Sequence, residues 1–192
     1  KSKKLKIFKF NLKKINNFEK FVKKSQLFAD INSFISLTGY IKPNQLSETK
    51  ISNFYDHINV NYLSNILLLK RLLPQMKKKN FGRVLLSSST GVKFGGSTST
   101  IIYSLTKYMN EFFFSSYKDF YKKNVLINTI RIGVTDTKIH LKTKKKNMSK
   151  RIKLIPINRI ASVKEVVDYI YLYASDQNTL TTNSVVNITG GE

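Results

Sequence analysis

The chain has 192 residues, 41% of them hydrophobic, which is enough to bury the core of one domain, so we expect a single domain over residues 1–192. It contains no cysteine, which excludes disulfides and thiol chemistry and suits a reducing cytoplasm, and no apolar run is long enough to span a membrane. The net charge of +23 indicates either a polyanionic partner or an A/T-rich coding bias, and no nucleic-acid motif accompanies the lysines. We therefore expect a cytoplasmic protein without a specific nucleic-acid, metal or membrane partner.

Hydrophobic periodicity predicts strands and helices that alternate along the chain. In chain order, the pattern predicts a strand at Leu5–Phe10, a helix at Ile15–Phe28, a strand at Ile31–Ser36, a helix at Ile51–Lys77, a strand at Gly82–Ser87, a helix at Thr100–Tyr121, a strand at Val125–Ile132, a helix at Val163–Ser175 and a strand at Ser184–Ile188. Such alternation is typical of α/β proteins. We therefore expect a doubly wound parallel sheet of the Rossmann type.

Two local patterns refine this prediction near the carboxyl end of the chain. Ser162 precedes the last predicted helix by one residue and Glu165 follows three residues later, which is the pattern of a capping box. The lysine-rich segment Lys138–Lys153 lies between a predicted strand and that helix, and we expect it to be a mobile loop.

A candidate proton-transfer site lies on the helix that follows the strand beginning at Gly82. Tyr103 and Lys107 are four residues apart, so both side chains lie on one face of a helix. A free tyrosine has a pKa of about 10, and a neighbouring ammonium lowers that pKa because it favours the phenolate. A serine at the end of the strand could bind the same substrate oxygen, which predicts proton transfer at the carboxyl edge of the sheet.

The motif YSLTK (residues 103–107) resembles the Tyr-x-x-x-Lys signature of the short-chain dehydrogenase/reductase family, in which a serine lies about thirteen residues upstream. Ser89 lies fourteen residues before Tyr103, and Ser88 and Thr90 are alternatives for the catalytic hydroxyl. The resemblance implies an NAD(P)-dependent oxidoreductase that interconverts a ketone and a secondary alcohol. Tyr103 would be the general acid/base, Ser89 would bind the substrate oxygen, and Lys107 would lower the pKa of Tyr103 and bind the nicotinamide ribose.

Other landmarks of the family occur in the same order. Asn61 precedes Pro74 by thirteen residues, and the resemblance implies that it holds a water that connects Lys107 to solvent. The segment RIGVTDT (residues 131–137) resembles a cofactor-binding turn in which Thr137 bonds the nicotinamide amide and Gly133 lets the backbone pass close to it. Two weaker matches complete the cofactor contacts, which are Gly39 in the segment SLTG and Asn11 near the adenine.

The glycine-rich turn with which the family binds the cofactor diphosphate has no counterpart in this sequence. Gly91, Gly95 and Gly96 follow a later strand and belong to the loop before Tyr103. We therefore expect an incomplete chain that lacks the first two strands and helices of the fold, about fifty residues. The alternative is a non-catalytic family member that serves as a binding or scaffold protein. The sequence does not distinguish NAD from NADP as the cofactor.

Expected partners follow from the same features. The helix predicted at Thr100–Tyr121 carries six aromatic residues after position 111, which favours a homodimer or homotetramer: Phe112, Phe113, Phe114, Tyr117, Phe120 and Tyr121. The substrate is expected to be a small carbonyl or alcohol compound. The basic segment Lys138–Lys153 favours an anionic one, such as an acyl-carrier-protein thioester or a sugar nucleotide, unless its lysines are merely solvated.

Overall fold

The computed structural model describes residues 5–112, 117–137 and 148–192. Its regular elements are the helices α1 (Ile15–Lys24), α2 (Ile51–Ile58), α3 (Ser64–Lys79), α4 (Ile101–Tyr108), α5 (Lys118–Tyr121), α6 (Met148–Ile152) and α7 (Val163–Ala174), and the strands β1 (Ser33–Ser36), β2 (Gly82–Ser89), β3 (Val125–Ile132) and β4 (Ser184–Ile188). The predicted capping box is present at the start of α7, where Ser162 and Glu165 each bond the other's backbone amide.

The four strands form one parallel sheet in the order β1-β2-β3-β4, which is also their order in the chain. Ser36 of β1 is level with Leu86 of β2, and Ser89 of β2 is level with Ile132 of β3. Because all four strands are parallel, their carboxyl ends lie at one edge of the sheet. This arrangement confirms the predicted α/β fold.

Helices cover both faces of the sheet because successive residues of β2 point to opposite sides. Val84 and Leu86 pack with α3 in one core cluster, whereas Leu85 packs with α7 in a second cluster. Gly82, at the start of β2, permits the closest approach of α3, since a Cβ there would lie only 2.7 Å from the sulfur of Met76. The sheet is thus fixed between two layers, as the doubly wound pattern requires.

The predicted strand at Leu5–Phe10 is wrong. These residues have no regular structure, Leu5 is 83% exposed, and the Phe10 ring lies on α1 with its centroid 4.3 Å from that of Phe21. A strand needs a neighbour for its backbone hydrogen bonds, and β1, the edge strand among the described residues, pairs only with β2. The two phenylalanines of this segment, Phe8 and Phe10, instead lie against Phe21 of α1.

The helix predicted at Ile51–Lys77 is continuous but changes its geometry in the middle. A π-helical turn at Asn59–Leu63 joins α2 to α3. Single π turns inside α-helices are frequent at functional sites, and this one carries Asn61, whose side chain is completely buried. Asn80 ends α3 in the left-handed conformation, at a φ of 53°.

The helix predicted at Thr100–Tyr121 is wrong in its length. It ends at Tyr108, a 3₁₀ turn follows at Met109–Glu111, and Phe112 is extended with a ψ of 113°. The reason is a contact distant in sequence, because the Glu111 carboxylate points inward to pair with Arg131 of β3.

The aromatic residues of that segment differ in their exposure. Tyr117, Phe120 and Tyr121 are partly buried against the core cluster of α3, whereas Phe112 is 66% exposed. Phe113 and Phe114 lie outside the described residues. The homodimer or homotetramer stays a prediction.

Of the expected mobile loop Lys138–Lys153, residues 138–147 lie outside the described residues, while Met148–Ile152 forms α6. Within the described ranges, no helix is long and apolar enough to cross a membrane. The same ranges contain no group of three or more His, Asp or Glu side chains that could hold a metal ion.

Candidate active site

A cavity of about 760 Å³ opens at the carboxyl edge of the sheet. The ends of β1, β2 and β3 form its floor, and residues of α4, α6 and α7 form its walls. In open α/β folds, this edge is where ligands bind, and the volume falls in the usual range of small-molecule sites. The sequence predicted a site at this edge.

Tyr103, Lys107 and Ser89 all line this cavity. The Tyr103 phenol interacts with the Ser89 hydroxyl, and Ser89 Oγ accepts the Gly91 amide at 3.2 Å. The three groups that the sequence predicted to act together are therefore brought to one place.

Burial changes the protonation of both titratable groups. It raises the pKa of Tyr103, although the hydrogen bond from Ser89 opposes this effect. It lowers the pKa of Lys107 to about 7, because this residue is only 3% exposed. The expected fall in the pKa of Tyr103 is thus wrong for this structure, since burial disfavours the charged forms of both residues.

Two groups that the sequence analysis missed hold Lys107. Its Nζ donates to the main-chain oxygen of Thr38 at 3.0 Å and to Oγ of Ser87 at 2.9 Å. Ser87 precedes Ser89 by two residues on the same strand, so the two side chains point to the same side of the sheet. That spacing was a signal in the sequence that could have identified Ser87.

The other serine of the run has different partners. Ser88 Oγ donates to Oε1 of Glu111, which also accepts from Arg131 Nε at 2.8 Å. Ser89 is therefore the serine that contacts Tyr103. The hydroxyl of Thr90, the other alternative, lines the cavity and is buried without a hydrogen-bond partner among the described residues.

Asn61 does not line the cavity, and its contacts differ from the expected relay. Its side chain accepts the Tyr40 amide at 2.7 Å and donates to the Tyr40 oxygen at 3.0 Å and to Thr106 Oγ1 at 2.9 Å. Its main-chain oxygen, freed by the π turn, accepts the side-chain amides of Asn65 and Asn110 at 3.1 and 2.9 Å. Asn61 thus fixes the backbone at Tyr40, two residues from the Thr38 oxygen that holds Lys107.

The predicted cofactor contacts divide into two groups. Gly39, Gly133 and Thr137 line the cavity, as do Tyr103 and Lys107. Asn11 does not, because it lies in an exposed turn where its side chain accepts the amide of Lys13 at 3.2 Å. The structure therefore gives no support to a contact from Asn11.

The residues of the cavity fit the nicotinamide and ribose half of a dinucleotide. The amine of Lys107 suits ribose hydroxyls and the hydroxyl of Thr137 suits an amide, while a Cβ on Gly39 would meet nothing within 4 Å, so this wall is open. The glycines between β2 and α4 are not a cradle for phosphates, because a Cβ on Gly96 would lie 2.5 Å from Ser104 Oγ. The described residues thus fit that half and offer no comparable turn for the diphosphate.

Comparisons with known proteins find reductases of similar sequence. The family model described as enoyl-(acyl carrier protein) reductase matches residues 2–192. The curated 3-oxoacyl-[acyl-carrier-protein] reductase FabG of Aquifex aeolicus is 25% identical over 162 residues, which are 84% of this chain and 65% of that protein. The FabG of Buchnera aphidicola from Acyrthosiphon pisum is 26% identical over 186 residues, 96% of this chain and 76% of that protein.

Solved structures show the same fold. A 3-oxoacyl (acyl-carrier-protein) reductase from Agrobacterium tumefaciens C58 with NADP bound has a TM-score of 0.83 and 20% identity, and the match covers 95% of this chain and 72% of that one. ElxO with NADP bound has a TM-score of 0.81 and 22% identity, with 96% and 76% covered. The chain spans about two thirds to three quarters of the length of these proteins.

Proposed function

Because the chain belongs to the short-chain dehydrogenase/reductase family, we propose that it is an NAD(P)-dependent oxidoreductase that interconverts a ketone and a secondary alcohol. The observation that carries the proposal is the contact of the Tyr103 phenol with the Ser89 hydroxyl in the cavity that also contains Lys107. An acid of high pKa, a hydroxyl and an amine on one apolar cavity suit proton transfer to a carbonyl oxygen.

In the direction of reduction, Tyr103 is the general acid. Its raised pKa keeps the phenol protonated at neutral pH, so the proton is available when the ketone oxygen becomes an alkoxide. A bound nicotinamide cofactor would supply the hydride to the carbonyl carbon. The carbonyl π bond then breaks, the oxygen takes the Tyr103 proton, and the product is a secondary alcohol.

Ser89 and Lys107 complete the proton chemistry. Ser89 donates a hydrogen bond to the same substrate oxygen and so orients the ketone toward Tyr103. Lys107, with a pKa lowered to about 7 by burial, carries a proton for part of the time at neutral pH and can help to reprotonate the phenolate. Lys107 and Thr137 would hold the ribose and the amide of the nicotinamide.

Asn61 acts indirectly in this proposal. Its side chain holds both polar groups of the Tyr40 backbone, and this keeps the Thr38 oxygen within reach of Lys107. It is therefore a positioning residue, and the water-holding role that the sequence resemblance implies is not part of the proposal.

The proposal is tested by product analysis with the natural protein. The protein is incubated with NADH or NADPH and a panel of ketones, beginning with 3-oxoacyl thioesters because the curated relatives are named for them. We expect loss of the reduced nicotinamide in step with formation of one secondary alcohol. Binding of either cofactor without any reduced product across the panel would overturn the proposal.

A second candidate function is a non-catalytic binding or scaffold protein with the same fold. It is favoured by one observation, which is that the described residues fit only the nicotinamide half of the cofactor. Titration with NADH and NADPH by fluorescence separates the two candidates, because a scaffold protein of this kind would bind neither dinucleotide.

A further inference from the structure

A partly buried arginine lines the cavity at a position that the proposed chemistry does not use. Arg151 of α6 has a side chain that is 18% exposed, and it lines the same cavity as Tyr103. One terminal nitrogen, Nη2, forms an ion pair with the carboxylate of Glu192. The other, Nη1, is buried and has no hydrogen-bond partner among the described residues.

The ion pair leaves one polar atom of each of its two side chains without a hydrogen-bond partner among the described residues. Oε2 of Glu192 is also buried without a described partner. Lys93 donates to the main-chain oxygen of Glu192 at 2.6 Å, so two cationic side chains meet one carboxylate side chain here. A guanidinium N–H that is removed from water and has no partner keeps its full preference for an anionic oxygen.

The same cavity also has apolar side chains. Phe94, Leu154 and Val167 line it together with Arg151 and Tyr103. A ligand that fills the cavity can thus contact a proton donor at Tyr103, apolar side chains and the unpaired guanidinium nitrogen of Arg151. A ketone joined by a short hydrocarbon chain to a carboxylate offers a matching group to each of these, and a guanidinium N–H forms a charge-assisted hydrogen bond with a carboxylate oxygen.

We propose that Arg151 determines specificity by binding the carboxylate of an oxo-acid substrate whose ketone group lies at Tyr103. The reduction of that ketone rests on the proposed function, whereas the binding of the acid does not. Glu192 fixes the guanidinium through Nη2 and leaves Nη1 for the substrate.

Paired ligands test the proposal directly. The probes are methyl-ketone acids with one to five methylene groups between ketone and carboxylate, each compared with its methyl ester by calorimetry. We expect the natural protein to bind at least one acid more tightly than its ester, and Arg151→Met to lose that preference through an affinity for the acid that is about 10- to 100-fold lower. The affinity for the ester changes by less than about twofold, because the ester brings no charge to this end.

Arg159→Met is the matched control, since Arg159 forms an exposed pair with Glu165 and does not line the cavity. It keeps the preference for the acid. Arg151→Lys keeps the charge without the planar fork, so it keeps part of the preference and replaces Arg151→Met if that variant does not fold. Equal binding of acid and ester by the natural protein, or the same loss in Arg159→Met, would overturn the proposal. A loss confined to NADPH affinity would overturn it as well, since the anion would then belong to the cofactor.

The two proposals fail in different ways. Binding is measured again in Tyr103→Phe, which cannot donate the phenolic proton. Acid binding that depends on Arg151 without turnover of any ketone refutes only the proposed function. Turnover of ketones with no preference for the acid refutes only the role of Arg151, and in kinetics that role predicts a raised KM for the acid with kcat retained.

Discussion

Burial of Lys107 should make the stability of the protein depend on pH, and replacing this residue should remove that dependence. This residue is 3% exposed, and the pKa of its amine is lowered to about 7 in the folded state, from 10.5 for a free lysine. Between these values the unfolded chain binds a proton at this residue that the folded chain does not. Stability therefore rises with pH from about 7 to about 10.5, and below about 7 the full cost of burying the charge is present.

The size of the effect follows from the two pKa values. Each pH unit in this window contributes about 1.4 kcal/mol, and because Lys107 is half protonated at pH 7, the gain between pH 7 and pH 9 is about 2 kcal/mol. Lys107→Met abolishes the titration and also loses the bonds to Thr38 and Ser87. The lost bonds lower the stability at every pH, whereas only the titration changes the difference between the two proteins with pH.

The assay is urea unfolding of the natural protein and of Lys107→Met at pH 7, 8 and 9. The free energy of unfolding of the natural protein, minus that of the variant, should increase by about 2 kcal/mol over this range. Lys78→Met is the control, because Lys78 is exposed on α3. The difference in the free energy of unfolding between the natural protein and this variant should be the same at all three pH values. A difference that is the same at pH 7 and pH 9 for Lys107→Met would refute the lowered pKa.

Three further substitutions test the packing and the ion pair near the site. Gly133→Ala should lower the free energy of unfolding by about 1–3 kcal/mol, because its Cβ would lie 2.8 Å from the Thr189 Cα. Gly39→Ala has nothing within 4 Å of its Cβ and should change the free energy of unfolding by less than about 0.5 kcal/mol, so equal melting temperatures of the two variants would contradict this prediction. Glu111→Gln should cost about 3 kcal/mol in urea unfolding, because it leaves the Arg131 guanidinium half-buried without its counter-ion, and a loss below about 1 kcal/mol would show that solvent screens the pair.

Much of the fold could be predicted from local patterns alone. The strand at Val125–Ile132 has the predicted bounds because its apolar run is continuous, as expected of a strand covered on both faces. The capping box at Ser162 was equally predictable, since it needs only residues that are three apart. Such features depend on neighbours in the sequence.

The two wrong predictions concern elements that depend on residues distant in the sequence. A strand at Leu5–Phe10 would have required a neighbour in the sheet, and the sequence pattern contains no information about that neighbour. The helix that starts near Thr100 stops early because Glu111 pairs with Arg131, twenty residues further along the chain. In each case, a contact between distant residues overrides the local periodicity.

Part of the site could also be predicted from the sequence. The spacing of Tyr103 and Lys107 predicted that they share one face of a helix, and the family resemblance predicted that Ser89 lies beside them. Their protonation was not predictable, because burial depends on the whole fold and reverses the expected direction for Tyr103. The partners of Lys107 come from two separate strand ends, which only the assembled sheet brings together.

The turnover number of Tyr103→Phe tests the central claim most directly. It is compared with Tyr108→Phe, which changes an exposed tyrosine of the same helix that does not line the cavity, under saturating reduced nicotinamide and ketone. The account predicts that kcat falls by about 10²- to 10⁴-fold in Tyr103→Phe, with unchanged cofactor affinity, and by less than about twofold in Tyr108→Phe. A Tyr103→Phe protein that reduces the ketone as fast as the natural one would contradict the account.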